Sequence, residues 1–264
     1  MQTYIAGKYA ALLQENQLSE FEQLWHAKAA WFEEPNERRG GWSGVGRLTL
    51  QAGSGAPVGA YLKRQDRHCH RSWRHPLHGV PTFQREFDML QFLQSQGMDC
   101  PEVMFYGRQA SDSFKTVLLT RELQHYVSLE TLTDQWFAGG RRPPLAQQQP
   151  LIIAVAQFAR RLHALRVHHR SFYPKHLFIH LTPASPPGVA VIDLEKSRRQ
   201  SVLSLPVMRT LYDLAALNRH AEHWSHTRRL SFLLHYLDIP KLTPYAKWLC
   251  RRILQRSSRP RKNQ

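Results

Sequence analysis

The order of the predicted elements indicates an α+β fold, with a small β-rich lobe followed by a larger helical lobe. Strands dominate the first half of the chain and are predicted at residues 42–51, 58–65, 103–108 and 115–122. Helices dominate the second half and are predicted around residues 151–165, 207–220, 224–237 and 244–256. We therefore expect an N-terminal extension with a β-rich lobe at residues 1–123 and a helical lobe at residues 124–264.

Turn residues and periodicity justify the individual elements. The first two strands are joined by a turn rich in Gly, Ala and Pro at residues 52–57. One helix is predicted among the strands, at residues 82–96, and Gly97 after it is a typical stop signal. In the longest helix the apolar residues recur at spacings of three and four and so form one face: Leu151, Val155, Phe158, Leu162 and Leu165.

Composition indicates a globular protein of a reducing compartment. The 264 residues are 42% hydrophobic, which is enough for sizeable cores. No apolar run approaches the roughly 20 residues that span a bilayer, and the N-terminus lacks the pattern of a signal peptide. The three cysteines, Cys69, Cys100 and Cys250, are far apart and odd in number, so no disulfide framework is predicted. These features predict a cytoplasmic protein.

Charge is the outstanding bulk property. The chain has 36 Lys and Arg against 20 Asp and Glu, a net charge of +16. Such an excess indicates an anionic partner, which could be nucleic acid, an acidic membrane leaflet or a phosphorylated substrate. The sequence contains no zinc-finger pattern and no recognisable helix-turn-helix or RNA-binding motif, so we do not predict nucleic acid as the partner.

Residues 66–81 are predicted to form a basic loop rich in histidine. It contains four histidines, three arginines and a cysteine: His68, His70, His75, His78, Arg67, Arg71, Arg74 and Cys69. These ligands lack the spacing of a zinc finger, so no stable metal cluster is predicted. Two interpretations remain open, an anion-binding surface for a phosphorylated glycolipid and a merely solvated loop.

Lys63 and Glu86 are the first candidate functional pair. Lys63 lies at the end of a predicted strand, and Glu86 lies on the next helix beside the apolar residues Phe83 and Phe87, so it faces inward. An inward carboxylate needs a partner because burying it unpaired is costly, and Lys63 is the obvious one. In kinases such a pair positions the lysine on the ATP phosphates. The alternative is a surface lysine with a half-exposed glutamate.

Asp193 directly follows the apolar strand at residues 189–192. A carboxylate at the end of a buried strand suits Mg²⁺, which prefers oxygen ligands and bridges phosphates. A turn aspartate that caps a loop is the alternative interpretation. The loop at residues 169–176 lies before this strand and after the long helix, which is where a kinase keeps its catalytic loop.

A glycine-rich segment at residues 40–46 precedes all of these features. Small residues such as Gly41 and Gly44 allow backbone N–H groups to approach phosphate. The spacing departs from the usual Gly-x-Gly-x-x-Gly, and a flexible entry into a strand is the alternative. Taken together, the features occur in the order in which a kinase has them.

Several longer motifs strengthen this indication. They read WFEEPNERR at residues 31–39, YLKR at 61–64, PTFQRE at 81–86, YPKH at 173–176 and IDLEKSRR at 192–199. Through them the chain resembles the Kdo/WaaP lipopolysaccharide kinase family, and especially its InaA branch. The segment DLAAL at residues 213–217 resembles the WaaP branch. The resemblance extends from about residue 25 to residue 217.

The resemblance implies a two-lobed protein-kinase-like fold, ATP and Mg²⁺ as cofactors, and phosphorylation of sugars in the lipopolysaccharide core. It implies that Lys63 binds phosphate, that Glu86 holds Lys63 and that Asp193 binds Mg²⁺. His176 falls where eukaryotic-type kinases place a metal-binding asparagine. The expected partner is an anionic glycolipid or lipopolysaccharide core, reached by peripheral contact with the cytoplasmic face of the inner membrane.

One position departs from the pattern of active kinases. They have His-Arg-Asp, in which the aspartate accepts the proton of the substrate hydroxyl, but here the motif is His169-Arg170-Ser171. A general base contributes roughly 10²–10⁴ in rate, so Ser171 predicts either a slow kinase or a pseudokinase that acts as a nucleotide-binding regulatory module. His169 is expected to brace the loop. Glu195 is a candidate substitute base or second metal ligand, or it forms a salt bridge with a nearby arginine.

Overall fold

The computed structural model of the chain describes residues 2–38, 41–53, 55–72, 75–109, 114–183, 185–200 and 206–258. The chain forms two units, Met1–Gln124 and His125–Gln264. Strands make up most of the first unit and helices most of the second. Among the helices in the described ranges, none is long and apolar enough to cross a lipid bilayer.

The first unit is built on an antiparallel sheet. Its strands are β1 (Gln2–Ile5), β2 (Ala30–Arg38), β3 (Gly41–Leu50), β4 (Val58–Asp66), β5 (Cys69–Ser72), β6 (His75–Pro81), β7 (Val103–Arg108) and β8 (Thr116–Arg121). Six of them form the sheet in the order β1-β7-β8-β4-β3-β2, and every neighbouring pair is antiparallel. The four strands predicted within residues 1–123 are β3, β4, β7 and β8.

The strands that the sequence did not predict lie at the edges of this sheet or outside it. β1 and β2 are the two edge strands. β2 contains Pro35, which lies where its register with β3 shifts between Glu33 and Asn36, as expected for a residue that cannot donate a ladder hydrogen bond. The predicted loop at residues 66–81 is instead a two-stranded ribbon of β5 and β6, which pairs Cys69 with Pro81.

Three helices cover the apolar residues of the sheet: α1 (Ala10–Glu15), α2 (Phe21–His26) and α3 (Thr82–Ser95). The side chains of Leu13 and Phe21 from α1 and α2 pack in one cluster with Leu62 and Leu119 from the two central strands. Leu13 and Leu62 are fully buried, so truncating either to alanine is expected to cost about 2–5 kcal/mol. This packing fixes strand β4, which carries Lys63.

The second unit is mainly helical. Its helices are α4 (Leu129–Phe137), α5 (Leu145–Ala164), α6 (Pro206–Arg219), α7 (His226–Leu237) and α8 (Pro244–Ser257). Its strands are β9 (Tyr126–Ser128), β10 (Val167–His168), β11 (Leu177–Thr182), β12 (Ser185–Val191) and β13 (Arg198–Arg199). The predicted stripe of α5 forms core, since Leu151, Val155 and Leu162 are buried.

Two small sheets of the second unit position its polar residues. β9, β11 and β12 form one sheet and β10 pairs with β13 in the other. Short 3₁₀ turns, Pro174–His176 and Leu194–Lys196, follow the loop after β10 and the end of β12. The ladder of β11 and β12 pairs Leu177 with Val191, so the turn before β11 and the residues after β12 come to the same end of this sheet.

Candidate active site

Lys63 and Glu86 form a short ion pair within the first unit. The Lys63 Nζ donates to Glu86 Oε1 at 2.7 Å, and the two side chains are 17% and 4% exposed. Lys63 comes from a central strand, where it pairs with Val45 on one side and Leu118 on the other. The helix α3 turns Glu86 inward together with Phe83. The predicted pair is therefore confirmed, and the alternative of a surface lysine with a half-exposed glutamate is wrong.

Gly41 and Gly44 lie inside strand β3, opposite the strand that carries Lys63. A Cβ atom at Gly41 would collide with the backbone carbonyl of Asp66, and one at Gly44 would come within 2.5 Å of the Trp31 ring. Close packing therefore explains both glycines without any ligand. Their contact with phosphate stays a prediction.

His169 is fully buried in the second unit and braces the loop from inside. Its Nε2 lies 2.8 Å from the carbonyl oxygen of Ile192, while the backbone N–H of Ser171 donates to its Nδ1 at 3.3 Å. Nδ1 must therefore be the acceptor and Nε2 must carry the proton. Burial lowers the pKa of His169 below its usual value, which agrees with a neutral ring.

Asp213 on α6 clamps the same loop by its backbone. Its Oδ2 accepts the N–H of His169 at 2.7 Å and its Oδ1 accepts the N–H of Arg170 at 2.8 Å. His163 on α5 adds a contact of 3.3 Å from Nε2 to Oδ2. Burial alone would raise the pKa of Asp213, but the hydrogen bond and charge of His163, with the N–H of His169, hold it below its usual value.

The role of Asp213 was missed in the sequence, although it belongs to one of the motifs that carry the family resemblance. The signal was available, because Asp213 lies beside Leu214 and Leu217 on the buried face of a helix. The same argument that identified Glu86 applies to it, since a carboxylate facing a core requires donors.

His176 links Ser171 to Asp193 within the second unit. Its Nδ1 lies 2.8 Å from the carbonyl oxygen of Ser171, which can only accept, so Nδ1 carries a proton. Its Nε2 lies 3.3 Å from Asp193 Oδ2. Asp193 itself adopts a left-handed conformation with φ of 59° and ψ of 57°, one that aspartate tolerates better than most residues. The sequence prediction thus identified three residues that the structure brings together.

Glu195 lies in the 3₁₀ turn after Asp193. Its Oε1 is 3.9 Å from the Nζ of Lys196, a separation at which a partly exposed pair contributes little. Ser171 is 5% exposed. Its backbone is held in the loop by hydrogen bonds of its N–H to His169 and of its carbonyl oxygen to His176. The assignment of Glu195 and Ser171 to catalysis stays a prediction.

These elements define the class of protein. A strand lysine held by a helix glutamate, a His-Arg loop clamped by a helical aspartate and an aspartate after a buried strand belong to a protein-kinase-like fold. A solved structure described as WaaP in complex with acyl carrier protein has this fold and superposes with a TM-score of 0.69, covering 97% of this chain and 99% of that chain at 22% identity. The predicted fold is confirmed.

The chain belongs to the lipopolysaccharide kinase (Kdo/WaaP) family, because a sequence profile of that family matches residues 22–236. It is also similar to Protein InaA of Escherichia coli (strain K12), with 29% identity over 184 residues that cover 69% of this chain and 80% of that protein. The predicted family membership is confirmed, and the matched region contains every motif on which the prediction was based.

Proposed function

We propose that this protein is an ATP-dependent kinase that phosphorylates a sugar hydroxyl of the lipopolysaccharide core or of a related glycolipid. The observation that carries the proposal is the buried pair of Lys63 and Glu86. A lysine held at 2.7 Å by a carboxylate that is 4% exposed has a fixed position, which is what phosphoryl transfer requires of it. Membership of the lipopolysaccharide kinase family supports the class of acceptor.

In this proposal Lys63 binds the ATP phosphates, Glu86 holds it there, and the backbone at Gly41 and Gly44 contacts the nucleotide. Asp193 would hold Mg²⁺, which when bound would neutralise the negative charge that develops on the phosphates. The donor set fits such an ion. The Asp193 side chain is 33% exposed and therefore accessible, and its carboxylate is the ligand type that Mg²⁺ prefers.

His176 is the proposed second metal ligand. Its Nε2 and Asp193 Oδ2 are 3.3 Å apart, close enough for both to bind one ion. The hydrogen bond from Nδ1 to the Ser171 carbonyl leaves Nε2 directed to Asp193, as an outer hydrogen bond does for metal-binding histidines generally.

The proton of the acceptor hydroxyl is the weak point of the reaction. Transfer forms a bond between the acceptor oxygen and the γ-phosphorus, breaks the bond to the β-phosphate oxygen and releases that proton. Ser171 cannot hold it at neutral pH, and His169 cannot take it because both of its ring nitrogens are engaged. We assign Glu195 as the candidate base, and we expect slow turnover from an imperfectly placed group.

A pseudokinase is the second candidate function, and Ser171 is the specific observation that favours it. The nucleotide would then bind without transfer and regulate a partner. Calorimetry with Mg-ATP and phosphate transfer to purified core oligosaccharide distinguish the two functions. Binding with transfer supports the kinase, binding without transfer in both wild type and Ser171→Asp supports the pseudokinase, and no binding contradicts both.

We also propose an acyl chain as a ligand of the second unit, which contains an apolar cavity of about 410 Å³. Aliphatic residues of four helices line it: Leu151, Val155, Leu217, Leu233, Ile253 and Leu254. Arg228, Arg229, Lys247 and Arg251 also border the cavity and suit an anionic group at the end of a chain. The solved WaaP was bound to acyl carrier protein, which makes an acylated carrier the partner to test first.

Leu217→Trp tests this ligand by filling the cavity. We expect wild type to bind acylated carrier protein at least tenfold more tightly than the carrier without its chain, and we expect Leu217→Trp to lose that preference. Leu181→Trp, at an exposed position of β11, is the control. Equal binding of both carrier forms by wild type would contradict the acyl site and leave the kinase proposal untouched.

We place the protein in the cytoplasm, at the cytoplasmic face of the inner membrane, because its proposed acceptor is a glycolipid and its net charge of +16 favours an anionic surface.

A further inference from the structure

Helices α6 and α8 share an exposed surface of aromatic and basic side chains, which we call the α6–α8 face. It comprises Met208, Tyr212, Tyr245, Trp248, Arg252 and Arg256. Ten large hydrophobic residues are exposed in the described ranges, and four of them belong to this face: Met208, Tyr212, Tyr245 and Trp248. Exposure of this kind concentrated in one place marks an interaction surface rather than chance.

The side chains of the α6–α8 face are ordered by one another. Tyr245 and Trp248 stack with their ring centroids 5.9 Å apart, and the Arg252 guanidinium lies 5.7 Å from the Trp248 ring. Arg256 lies 3.2 Å from the centroid of Tyr212 and so joins α8 to α6. Along α8, Tyr245, Trp248, Arg252 and Arg256 are three or four residues apart and so lie on one side of the helix. Ala246, Leu249 and Ile253 of the same helix are buried and hold it in place.

Charge adds to the aromatic character of this surface. From residue 239 to residue 264 the sequence contains eight Lys and Arg and no Asp or Glu. Two of these cations, Arg252 and Arg256, lie on the α6–α8 face, whereas Lys247 and Arg251 on the same helix border the apolar cavity. Tyrosine and tryptophan are favoured at the headgroup level of bilayers, and each nearby cation raises binding to an anionic surface by about fivefold.

The geometry distinguishes a membrane from nucleic acid as the partner. Single-stranded bases bind by stacking on open aromatic faces. Here Tyr245 and Arg252 pack on the Trp248 ring, and Arg256 covers a face of Tyr212. These partly covered rings, with guanidinium groups beside them, suit insertion among lipid headgroups.

We propose that the α6–α8 face docks the protein on anionic phospholipid membranes, with Tyr245 and Trp248 at the headgroup level and Arg252 and Arg256 on the phosphates. The proposal rests on the proposed function only for its purpose, which is to bring the enzyme to a glycolipid. Docking itself needs no nucleotide and no catalysis, so the two can fail separately.

Co-sedimentation with vesicles of phosphatidylcholine, with and without 30% phosphatidylglycerol, tests the proposal on the full chain without ATP. We expect wild type to bind the anionic vesicles at least tenfold more tightly than the neutral ones. Two double variants should each bind the anionic vesicles at least fivefold more weakly than wild type: Tyr245→Ser/Trp248→Ser and Arg252→Gln/Arg256→Gln. Trp31→Ser removes an equally exposed aromatic ring from the first unit, and Arg141→Gln/Arg142→Gln removes two exposed cations elsewhere. Both controls should stay within twofold of wild type.

Other results would overturn the proposal. If Arg141→Gln/Arg142→Gln lost as much vesicle affinity as Arg252→Gln/Arg256→Gln, binding would depend on total charge and not on this face. If the aromatic double variant bound vesicles as tightly as wild type, the α6–α8 face would not be the docking surface. A dimer of wild type that becomes a monomer in the aromatic variant would assign the face to a second copy of the chain. Single-stranded DNA binding lost in the same variants, without vesicle binding, would assign it to nucleic acid. Thermal unfolding within about 2 °C of wild type confirms that each variant is folded.

Discussion

The two units of the chain differ in how closely their functional groups follow those of an active kinase. In the first unit the lysine and its glutamate are both present and buried against each other. In the second unit the hydrogen bonds that hold the loop are present: Asp213 accepts from two backbone N–H groups, and His169 bonds to the carbonyl oxygen of Ile192. The loop has Ser171, however, at the position where active kinases have a base. The comparison shows that the hydrogen bonds that hold this loop do not depend on the residue at position 171, since Asp213 and His169 bind backbone groups and not the Ser171 side chain. Nucleotide binding and catalysis should therefore respond to different substitutions.

Asp213 should contribute the largest effect, because its removal leaves two backbone N–H groups and His163 without their acceptor. Asp213→Ala is expected to lower the free energy of unfolding by about 3–5 kcal/mol. Arg160→Ala is the control, since it breaks a 2.7 Å pair with Asp238 on the surface and should cost at most about 1 kcal/mol. Urea unfolding measures both, and similar losses in the two variants would show that burial of Asp213 does not matter.

The Lys63–Glu86 pair gives the corresponding test in the first unit. Lys63→Met leaves a buried carboxylate without its cation and should cost about 3–5 kcal/mol. Lys8→Met breaks a pair of the same 2.7 Å length whose side chains are 59% and 40% exposed, and solvent screening should limit its effect to about 1 kcal/mol.

The double variant Lys63→Met/Glu86→Leu separates stability from function. Replacing both charges by apolar groups should recover most of the lost stability, but ATP should still fail to bind. Recovery of ATP binding in this variant would mean that Lys63 has only a structural role.

Stability should also fall in acid, and the sign follows from two histidines and one aspartate of the second unit. Burial lowers the pKa values of His168 and His169 below the usual 6.5, so the unfolded chain binds more protons below that pH and stability is lost as the pH falls from 6.5. The pKa of Asp213 is held below 3.8, so its contribution is complete above pH 3.8 and is lost only below it. Between pH 6.5 and pH 5, His168→Gln should reduce the slope of stability against pH by at most about 1.4 kcal/mol per unit. Urea unfolding at pH 7.5, 6.5 and 5.5 measures the slope, and an unchanged slope in His168→Gln would contradict this assignment.

The sequence predicted the parts of the fold that depend on periodicity and on paired burial. Lys63 and Glu86 could be found because an inward carboxylate requires a partner, and the core stripe of α5 follows from its spacing. Strand β2 could not be found, since its charges and Pro35 are permitted only at the edge of a sheet, and being an edge is a tertiary property. The contact of His176 with both Ser171 and Asp193 depends on the hairpin of β11 and β12, whose register is not written in any local pattern.

Ser171→Asp tests the loss of the base directly. Phosphate transfer to core oligosaccharide should rise at least tenfold, which is within the range that a placed base supplies, while the affinity for Mg-ATP stays within twofold. Ser171→Ala should turn over as slowly as wild type. Fast wild-type turnover that collapses in Ser171→Ala would show that the serine is essential and that our interpretation of the loop is wrong.

The smallest expected effect concerns which metal ion the second unit prefers. The proposed ligands are a carboxylate oxygen of Asp193 and the Nε2 of His176, and an imidazole nitrogen favours transition metals over Mg²⁺. His176→Asn would replace that nitrogen by an amide oxygen, so the preference for Mn²⁺ over Mg²⁺ should fall by about threefold or more.

Calorimetric titration of each ion into the nucleotide-bound protein measures this preference. His180→Asn, on β11 of the same unit, is the control and should leave the ratio of the two affinities unchanged. Because Nδ1 of His176 also donates a hydrogen bond to the Ser171 carbonyl, His176→Asn would loosen the loop even if His176 is not a metal ligand. That outcome would lower both affinities equally, whereas a changed ratio requires that His176 itself binds the ion.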